Sequence, residues 1–530
     1  MTWSTAPLTR FEAHYGDRVV LCFQERPRSV DHILRESAAK YGHREAIVDG
    51  TRRFTFADLD QAAEGIAAGL AARGVKPGDR VALLLGNRAE FAFVLFGALR
   101  AGCVVVPLNT REQKPELEFV LGNCGAKVLV YEAELADRLP DAAAVPDLVY
   151  RFVLGGKVER SEPFEALSGV GAAPAAAFAE EETAVILYTS GTTGKPKGAM
   201  LTHLSMVTSA MHFETCWQLT MDDRALLAVP ATHVTGLVAI LLSMVRVGGA
   251  TIILPAFKAA EFLALATSER MTYTLMVPAM YHLCLLQTKL EGFDLAAWRV
   301  GGYGGSPMPA ATIETLAKIL PRLQLANAYG STETTSPSTL TPLGEGARRS
   351  DTVGKVVPCC EIQIMDDGGC AVPPGDSGEI WIRGSHVAKG YWANPEATHA
   401  NFIAGFWRSG DVGALAADGY LKILDRMKDM INRGGFKVYS AEVEDVLAYH
   451  PKVGEAAVVG DPDPVLSERV HAYILAKDPS LTADEVRTYC AARLSDYKVP
   501  DFVTFVDQPL PRNANGKVLK RALKGTAPRT

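Results

Sequence analysis

Tyr188-Thr189-Ser190-Gly191-Thr192-Thr193-Gly194-Lys195-Pro196-Lys197-Gly198 gathers hydroxyls, glycines and two lysines into one short stretch. That composition predicts a cradle for phosphate. Glycines let backbone N–H groups approach an anion and adopt positive φ, hydroxyls add donors, and the lysines add charge. The apolar run Thr183 to Leu187 just before it reads as a buried strand, which puts the loop at a strand end, where α/β sheets bind ligands. Pro196 follows Gly194-Lys195, so the stretch is not the G-x-x-x-x-G-K-[ST] P-loop. Taken alone, a Gly/Ser/Thr run is an ordinary surface turn; its neighbours decide otherwise.

Upstream, Thr55-x-x-Asp58 has the form of a capping box, Leu59, Ile66 and Leu70 recur at helical spacing, and Gly74 ends the pattern. Strand-like Arg80 to Leu85 and Cys103 to Pro107 flank a helical Ala89 to Arg100, and helix Pro115 to Gly122 precedes strand Lys127 to Tyr131. Such alternation predicts a parallel α/β sheet. The Ala-rich Gly171 to Ala179 reads as a surface connection. From Thr183 to Leu325 the alternation returns, with strands at Ala225 to Val229, Ala250 to Leu254 and Tyr273 to Val277, predicting a second α/β unit.

Between Thr352 and Leu424 short β-rich pieces such as Glu361 to Met365 and Gly378 to Arg383 alternate with Gly/Pro/Asp turns, predicting a small β subdomain. Beyond Asp425, helices near Ala441 to Tyr449 and Ala483 to Leu494 mix with strands near Ala456 to Val459 and His471 to Leu475. This predicts a separate α+β domain of roughly 100 residues. The expected division is therefore residues 1–424 and 425–530.

A chain of 530 residues has room for about three to four domain-sized units. Its net charge of −6, with lysines and arginines dispersed, argues against a nucleic-acid partner. Nine cysteines include the adjacent Cys359-Cys360 but no C-x-x-C and no His/Cys ligand cluster, which disfavours structural zinc and a disulfide framework. Met1 to Arg18 lacks the apolar core of a secretion signal. Gly236 to Leu254 is broken by Arg246 and Gly248-Gly249 and reads as buried helix then strand, not as a membrane span. A cytoplasmic enzyme with no transmembrane segment is expected; oligomeric state is not readable, and a homodimer stands open.

Three further segments follow in order: Asn327-Ala328-Tyr329-Gly330-Ser331-Thr332-Glu333, Trp407-Arg408-Ser409-Gly410-Asp411 and Asn515-Gly516-Lys517. With the first loop, from about Ser29 to Ala522, the chain resembles the adenylate-forming superfamily of acyl-CoA synthetases, luciferases and nonribosomal adenylation domains. The resemblance implies ATP, Mg²⁺ and CoA as cofactors, and a carboxylic acid that becomes an acyl-adenylate with release of pyrophosphate. The fold implied is α/β, a large N-terminal domain of two α/β units and a small β subdomain carrying a smaller mobile C-terminal domain.

In the resembled family the loop from Thr189 through Ser190, Gly191, Thr192, Thr193, Gly194 and Lys195 to Lys197 grips the β and γ phosphates. The carboxylate matching Glu333, at the end of Tyr329-Gly330-Ser331-Thr332-Glu333, holds Mg²⁺. Gly304-Gly305-Ser306-Pro307 resembles the adenine strip, Asn327 and Ala328 the adenine edge, and Tyr329 the stacking ring. Asp411 matches the ribose carboxylate, with Ile423 and Arg426 near it, and Lys517 matches the lysine between carboxylate and α-phosphate. A lysine so placed offsets the repulsion of two anions.

Asp425 to Val438 resembles the family hinge, with Lys428 at the hinge position and Gly434-Gly435 lining the thiol path after the C-terminal domain rotates; Tyr497 and Lys498 match positions near the CoA nucleotide. In Val229 to Gly236, His233 matches the histidine at the carboxylate end of the acyl pocket, and Thr232 departs from the bulkier residue common there. Val234 stands where amino-acid-activating relatives carry an aspartate, so an α-amino acid would bury its ammonium unpaired. The pocket would draw on His212, Val234, Thr235, Leu275, Tyr303, Gly304, Ala328, Thr335 and Ser336. Its small residues suit a fatty or alicyclic acid, while His212, Tyr303 and Thr335 leave an aryl acid open. No carrier domain follows in this sequence, so free CoA is the expected acceptor, with an acyl-AMP ligase loading a separate carrier protein as the alternative; Ser467 stands where the family usually has glycine.

Overall fold

Thr55 opens the helix Phe56–Ala72 as its spacing predicts: the Thr55 hydroxyl accepts from the Asp58 N–H, and the Asp58 carboxylate accepts from the Thr55 N–H at 2.8 Å. The computed structural model describes residues 3, 7–171, 179–189, 195–512 and 518–524, with only the backbone of Ala310. The Ala-rich connection therefore lies largely outside the described residues. The helix Ala89–Arg100 is buried at every position. Its last residue, Arg100, is paired with Asp31, Asp60 and Glu64, which compensates a guanidinium removed from water.

Packing divides the chain into two compact units. Met1–Gly305, Thr315–Ile362 and Ile382–Trp407 form one; Ser306–Glu314, Gln363–Trp381 and Arg408–Thr530 form the other.

The first unit holds two large sheets. One runs Lys197–Thr202, Thr183–Thr189, Val104–Pro107, Arg80–Leu84, Ala126–Glu132, Tyr150–Leu154, Glu162–Pro163. Its centre is parallel, as the alternating pattern requires, and Lys197–Thr202 closes one edge antiparallel. The other runs Lys355–Val356, Thr339–Leu340, Gln324–Tyr329, Val300–Gly304, Tyr273–Met276, Arg224–Leu227, Ala250–Ile253, Glu45–Asp49, Arg52–Thr55. Membership does not follow chain order: Thr183–Thr189 belongs with the first set of strands, and Glu45–Asp49 with the second. The two α/β units are thus present but exchange strands, a pairing between distant segments that local pattern does not encode.

The N-terminal strands Thr9–His14 and Arg18–Phe23 form a separate hairpin. Thr235–Leu242 is a π-helix where a plain helix was expected, and Ser243 Oγ donates to the Val238 carbonyl five residues back at 2.8 Å. Such wide turns concentrate at functional sites.

A third sheet is built from Cys360–Met365, Ser377–Gly384, Phe402–Ile403, Phe406–Leu415 and Leu421–Arg426. In the second unit a mixed sheet of Phe436–Val438, Ile431–Arg433, Ser467–Ala476, Val453–Asp463 and Phe502–Phe505 packs with the helices Ser440–Ala448 and Ala483–Ala491 around Ile431, Val443, Leu447, Val470, Ile474, Val486 and Val503.

Candidate nucleotide and acyl site

Thr189 pairs with Lys197 and Tyr188 with Gly198, so both ends of the glycine-rich stretch are held by an antiparallel hairpin. Thr189 Oγ1 donates to the Lys197 carbonyl at 3.4 Å. Ser190, Gly191, Thr192, Thr193 and Gly194 lie outside the described residues. Both lysines rest on aromatic faces: Lys195 Nζ is 5.8 Å from the Phe119 centroid, and Lys197 Nζ is 5.3 Å from that of Tyr391. An open groove of about 700 Å³ is lined by Lys114, Phe119, Gly122 and Asn123. Tyr188 borders it, donating to Asn123 Oδ1 at 2.5 Å, but none of the predicted acyl residues lines it.

Glu333 sits on the short turn Thr332–Thr334 after the strand Gln324–Tyr329. Its carboxylate is fixed at both oxygens. Ser331 Oγ donates to Oε2 at 2.7 Å, and the Tyr391 hydroxyl donates to Oε1 at 3.0 Å. A carboxylate offers about four lone-pair sites, so two remain. One oriented carboxylate with free lone pairs fits Mg²⁺, which takes one or two carboxylates and completes its shell from substrate phosphates.

Tyr391 was not singled out from sequence. It lies on a strap that binds strand Lys197–Thr202: Met200 N–H donates to the Gly390 carbonyl at 2.9 Å, and Trp392 N–H to the Gly198 carbonyl at 2.7 Å. The strap also reaches Glu333, whose carbonyl accepts from Ala388 N–H at 2.8 Å. The signal available in sequence was the Gly390-Tyr391-Trp392 triplet, an aromatic pair directly after a glycine held at φ +157°.

Val300–Gly304 and Gln324–Tyr329 pair in parallel, with Tyr303 beside Asn327 and Gly304 beside Ala328. A Cβ on Gly304 would overlap the Ala328 carbonyl, so only glycine permits this register. Burial pushes the Tyr303 phenol up to about 12, with a hydrogen bond from Asn327 opposing it. Gly305, at φ +80°, ends the strand; Ser306 and Pro307 belong to the second unit.

The segment before the π-helix is held by Asn87, another residue missed from sequence. Its Nδ2 donates to the Val229 and Leu254 carbonyls at 3.0 Å, and its Oδ1 accepts from Ala231 N–H at 2.7 Å. His233 is half-buried here, with Val234 buried beside it. A Cβ on Gly236 would overlap the Pro230 carbonyl, so glycine lets the chain double back before Thr235–Leu242.

Leu275 and Tyr303 are buried on neighbouring strands. Thr335 and Ser336 carry positive φ, 51° and 36°, uncommon for any residue but glycine and more so for a β-branched one. His212 is fully buried: its ring faces Phe23 at 5.8 Å and His386 at 5.3 Å, and neither nitrogen has a hydrogen-bond partner. Burial pushes its imidazole down to about 3. In this conformation the ring abuts packed side chains, not open space for a substrate hydroxyl.

In the second unit Asp411 is buried, opposite Arg426 across the strand pair, with Arg426 Nε 3.3 Å from its Oδ1. Its N–H donates to Ser409 Oγ at 3.0 Å, and that hydroxyl donates to the Ile380 carbonyl at 2.7 Å, so Ser-Gly-Asp aims the carboxylate. Ile423 is half-buried on the partner strand and Lys428 is exposed just beyond it. Gly434 and Gly435 stand at φ +61° and +91°, with Gly435 N–H donating to Asn432 Oδ1 at 3.0 Å. Phe436, also unmarked in the sequence, stacks on Tyr497 with centroids 4.7 Å apart, and Lys498 Nζ meets Glu442 at 2.7 Å. Ser467 sits at φ +65°, the left-handed conformation that glycine adopts without strain. Lys517 lies outside the described residues.

Among the described residues, one ligand-type cluster stands that sequence spacing did not suggest. The hairpin brings Glu12, His14 and Cys22 within 4.8 Å of one another. The Arg26 guanidinium bonded to Glu12 holds that carboxyl down at about 2 and already supplies its cation.

Residues 34–392 match the AMP-binding enzyme family and residues 442–517 the AMP-binding enzyme C-terminal domain. The chain belongs to this family of adenylate-forming enzymes, and it is an AMP-forming acid–CoA ligase using ATP, Mg²⁺ and CoA. It is 35% identical to a feruloyl-CoA synthase of Amycolatopsis over 90% of this chain and 95% of that protein. It is 34% identical to a long-chain-fatty-acid–CoA ligase of Mycobacterium tuberculosis, over 94% and 98%. Among solved structures, o-succinylbenzoate CoA synthetase from Bacillus subtilis in complex with ATP and magnesium ion superposes with a TM-score of 0.81 at 31% identity, covering 93% of this chain and 98% of that one. Among the described residues, no helix is long and apolar enough to cross a membrane.

Proposed function

We propose that the acid activated is fatty or alicyclic, and that the residues described above divide the work of adenylation and thioester formation. The observation that carries the substrate reading is the buried, aliphatic Val234 beside His233, with Leu275 buried on a nearby strand. These side chains offer an apolar wall and nothing to pair an ammonium. The similarity to a feruloyl-CoA synthase keeps an aryl acid as the second reading.

In the proposed mechanism the loop Thr189 to Lys197 receives the triphosphate, with Lys195 and Lys197 leaving their aromatic rests for phosphate oxygens. Asn327 meets the adenine edge, Tyr329 its face, and Asp411 accepts from both ribose hydroxyls. The substrate carboxylate attacks the α-phosphorus, the bond from phosphorus to the pyrophosphate oxygen breaks, and Lys517 offsets the charge between the two anions. Glu333 would hold Mg²⁺, which supplies charge neutralisation on the departing pyrophosphate. Residues 425–530 then turn about Lys428, and the CoA sulfur attacks the acyl carbonyl with AMP as leaving group. Gly434 and Gly435, lacking Cβ atoms, leave a path for the thin pantetheine arm, beside the Phe436–Tyr497 platform.

The test is a competition assay in which octanoate, cyclohexanecarboxylate, benzoate and ferulate share one limiting pool of CoA and the thioesters are quantified. Octanoyl or cyclohexanecarbonyl thioester should dominate; a dominant feruloyl or benzoyl thioester would overturn the preference in favour of the second reading.

A further inference from the structure

Tyr391 touches both charged partners of the proposed phosphate site. Its hydroxyl donates to Glu333 Oε1 at 3.0 Å, and the ammonium of Lys197 lies 5.3 Å from the centre of its ring. The side chain is 5% exposed and is braced edge-on by Phe402, with centroids 5.6 Å apart. Its backbone is clamped on both sides by the strap, through Met200 with Gly390 and Trp392 with Gly198. Ring position is therefore fixed by packing, independently of any ligand.

A cation and a carboxylate this close to one aromatic ring have an alternative to their proposed work: they can pair with each other. A direct Lys197–Glu333 pair would direct the lysine away from phosphate and occupy the lone pairs a metal needs. The observed arrangement prevents this. Lys197 is held over the ring face by cation–π attraction, while the carboxylate is drawn to the hydroxyl at the ring edge.

We propose that Tyr391 is a positioning residue for the metal–nucleotide complex: it fixes the Glu333 carboxylate for a divalent cation bound to the triphosphate and, until the triphosphate draws Lys197 away, keeps that lysine from quenching it. This rests on the reading of Glu333 as the metal-holding carboxylate. Ser331 shares the task from the other side, donating to Oε2 at 2.7 Å.

The experiment measures equilibrium binding of Mn²⁺ in the presence of ATP and in the absence of any acid, by electron paramagnetic resonance of free Mn²⁺, and of AMP without metal by titration calorimetry. Native enzyme is compared with Tyr391→Phe, Ser331→Ala and Glu333→Gln. Tyr391→Phe keeps the ring and loses the hydroxyl. It should weaken Mn²⁺ binding with ATP by roughly 10–100-fold, the usual effect of removing a partner of a metal ligand, and leave AMP affinity unchanged. Ser331→Ala should move the same quantity in the same direction, and retained AMP binding certifies the fold of each variant. Native-like Mn²⁺ binding by Tyr391→Phe, with Glu333→Gln impaired, would reduce Tyr391 to packing and overturn the inference alone. Native-like binding by Glu333→Gln would overturn the reading of Glu333, and the inference with it.

Discussion

Gly304 and Ala328 lie so close across their parallel strands that a Cβ on Gly304 would overlap the Ala328 carbonyl oxygen. The glycine therefore maintains the spacing of the two strands whose ends carry Tyr303 and Asn327. Gly304→Ala must push the strands apart or shift their register, and overpacking of a tight interior costs on the order of 1–3 kcal/mol. The expected outcome is a lower thermal midpoint together with a raised KM for ATP and little change in KM for CoA. An unchanged KM for ATP in a folded variant would separate this strand pair from the adenine site.

His212 makes the stability of the first unit depend on pH with a predictable sign. Its imidazole is held at about 3 by burial, against 6.5 for an exposed histidine, and the neighbouring His386 is lowered in the same direction. Above pH 6.5 both states are neutral there and nothing is lost. As pH falls from 6.5 toward 3 the unfolded chain takes up protons that the native interior refuses, so stability declines across that window. His212→Phe, similar in volume and free of two unpartnered nitrogens, should show a shallower fall in thermal midpoint over this range. Parallel curves for the two proteins would contradict the assigned environment.

Lys428 is exposed at the end of the strand Leu421–Arg426, two residues past its last position, with Asp429 and Met430 N–H groups both donating to the Arg426 carbonyl at 2.9 Å. Proline there fixes φ and removes a donor. For a hinge that must adopt two backbone conformations, Lys428→Pro should slow conversion of acyl-adenylate to thioester on the order of 10-fold or more while adenylate formation persists. Single-turnover rates of each half-reaction check this, and an unaltered thioester rate would remove Lys428 from the hinge.

How much was legible in the sequence depended on the range of the interactions. The helix Ala89–Arg100 matches its predicted ends because its apolar pattern is a local signal. The strand Thr183–Thr189 leading into the glycine-rich stretch was legible because its apolar run is likewise a local signal. The exchange of Thr183–Thr189 and Glu45–Asp49 between sheets was not, since strand partners are chosen by packing across long separations. The N-terminal hairpin went unread although Thr9–His14 and Arg18–Phe23 flank a turn through Tyr15 and Gly16, both at positive φ. Tyr391 escaped because its meaning lies in a hydrogen bond to a residue 58 positions away. Asn87 did so for the same reason, holding a segment more than 140 positions downstream.

A two-part single-turnover assay of Lys517→Ala scores acyl-adenylate from acid and ATP, then thioester from preformed acyl-adenylate and CoA. A lysine that stabilises charge only in the first step predicts a loss of roughly 10²–10³ in adenylate formation, with thioester formation near the native rate. Equal loss in both halves, or adenylate formation at the native rate, would contradict the division of labour on which the mechanism rests.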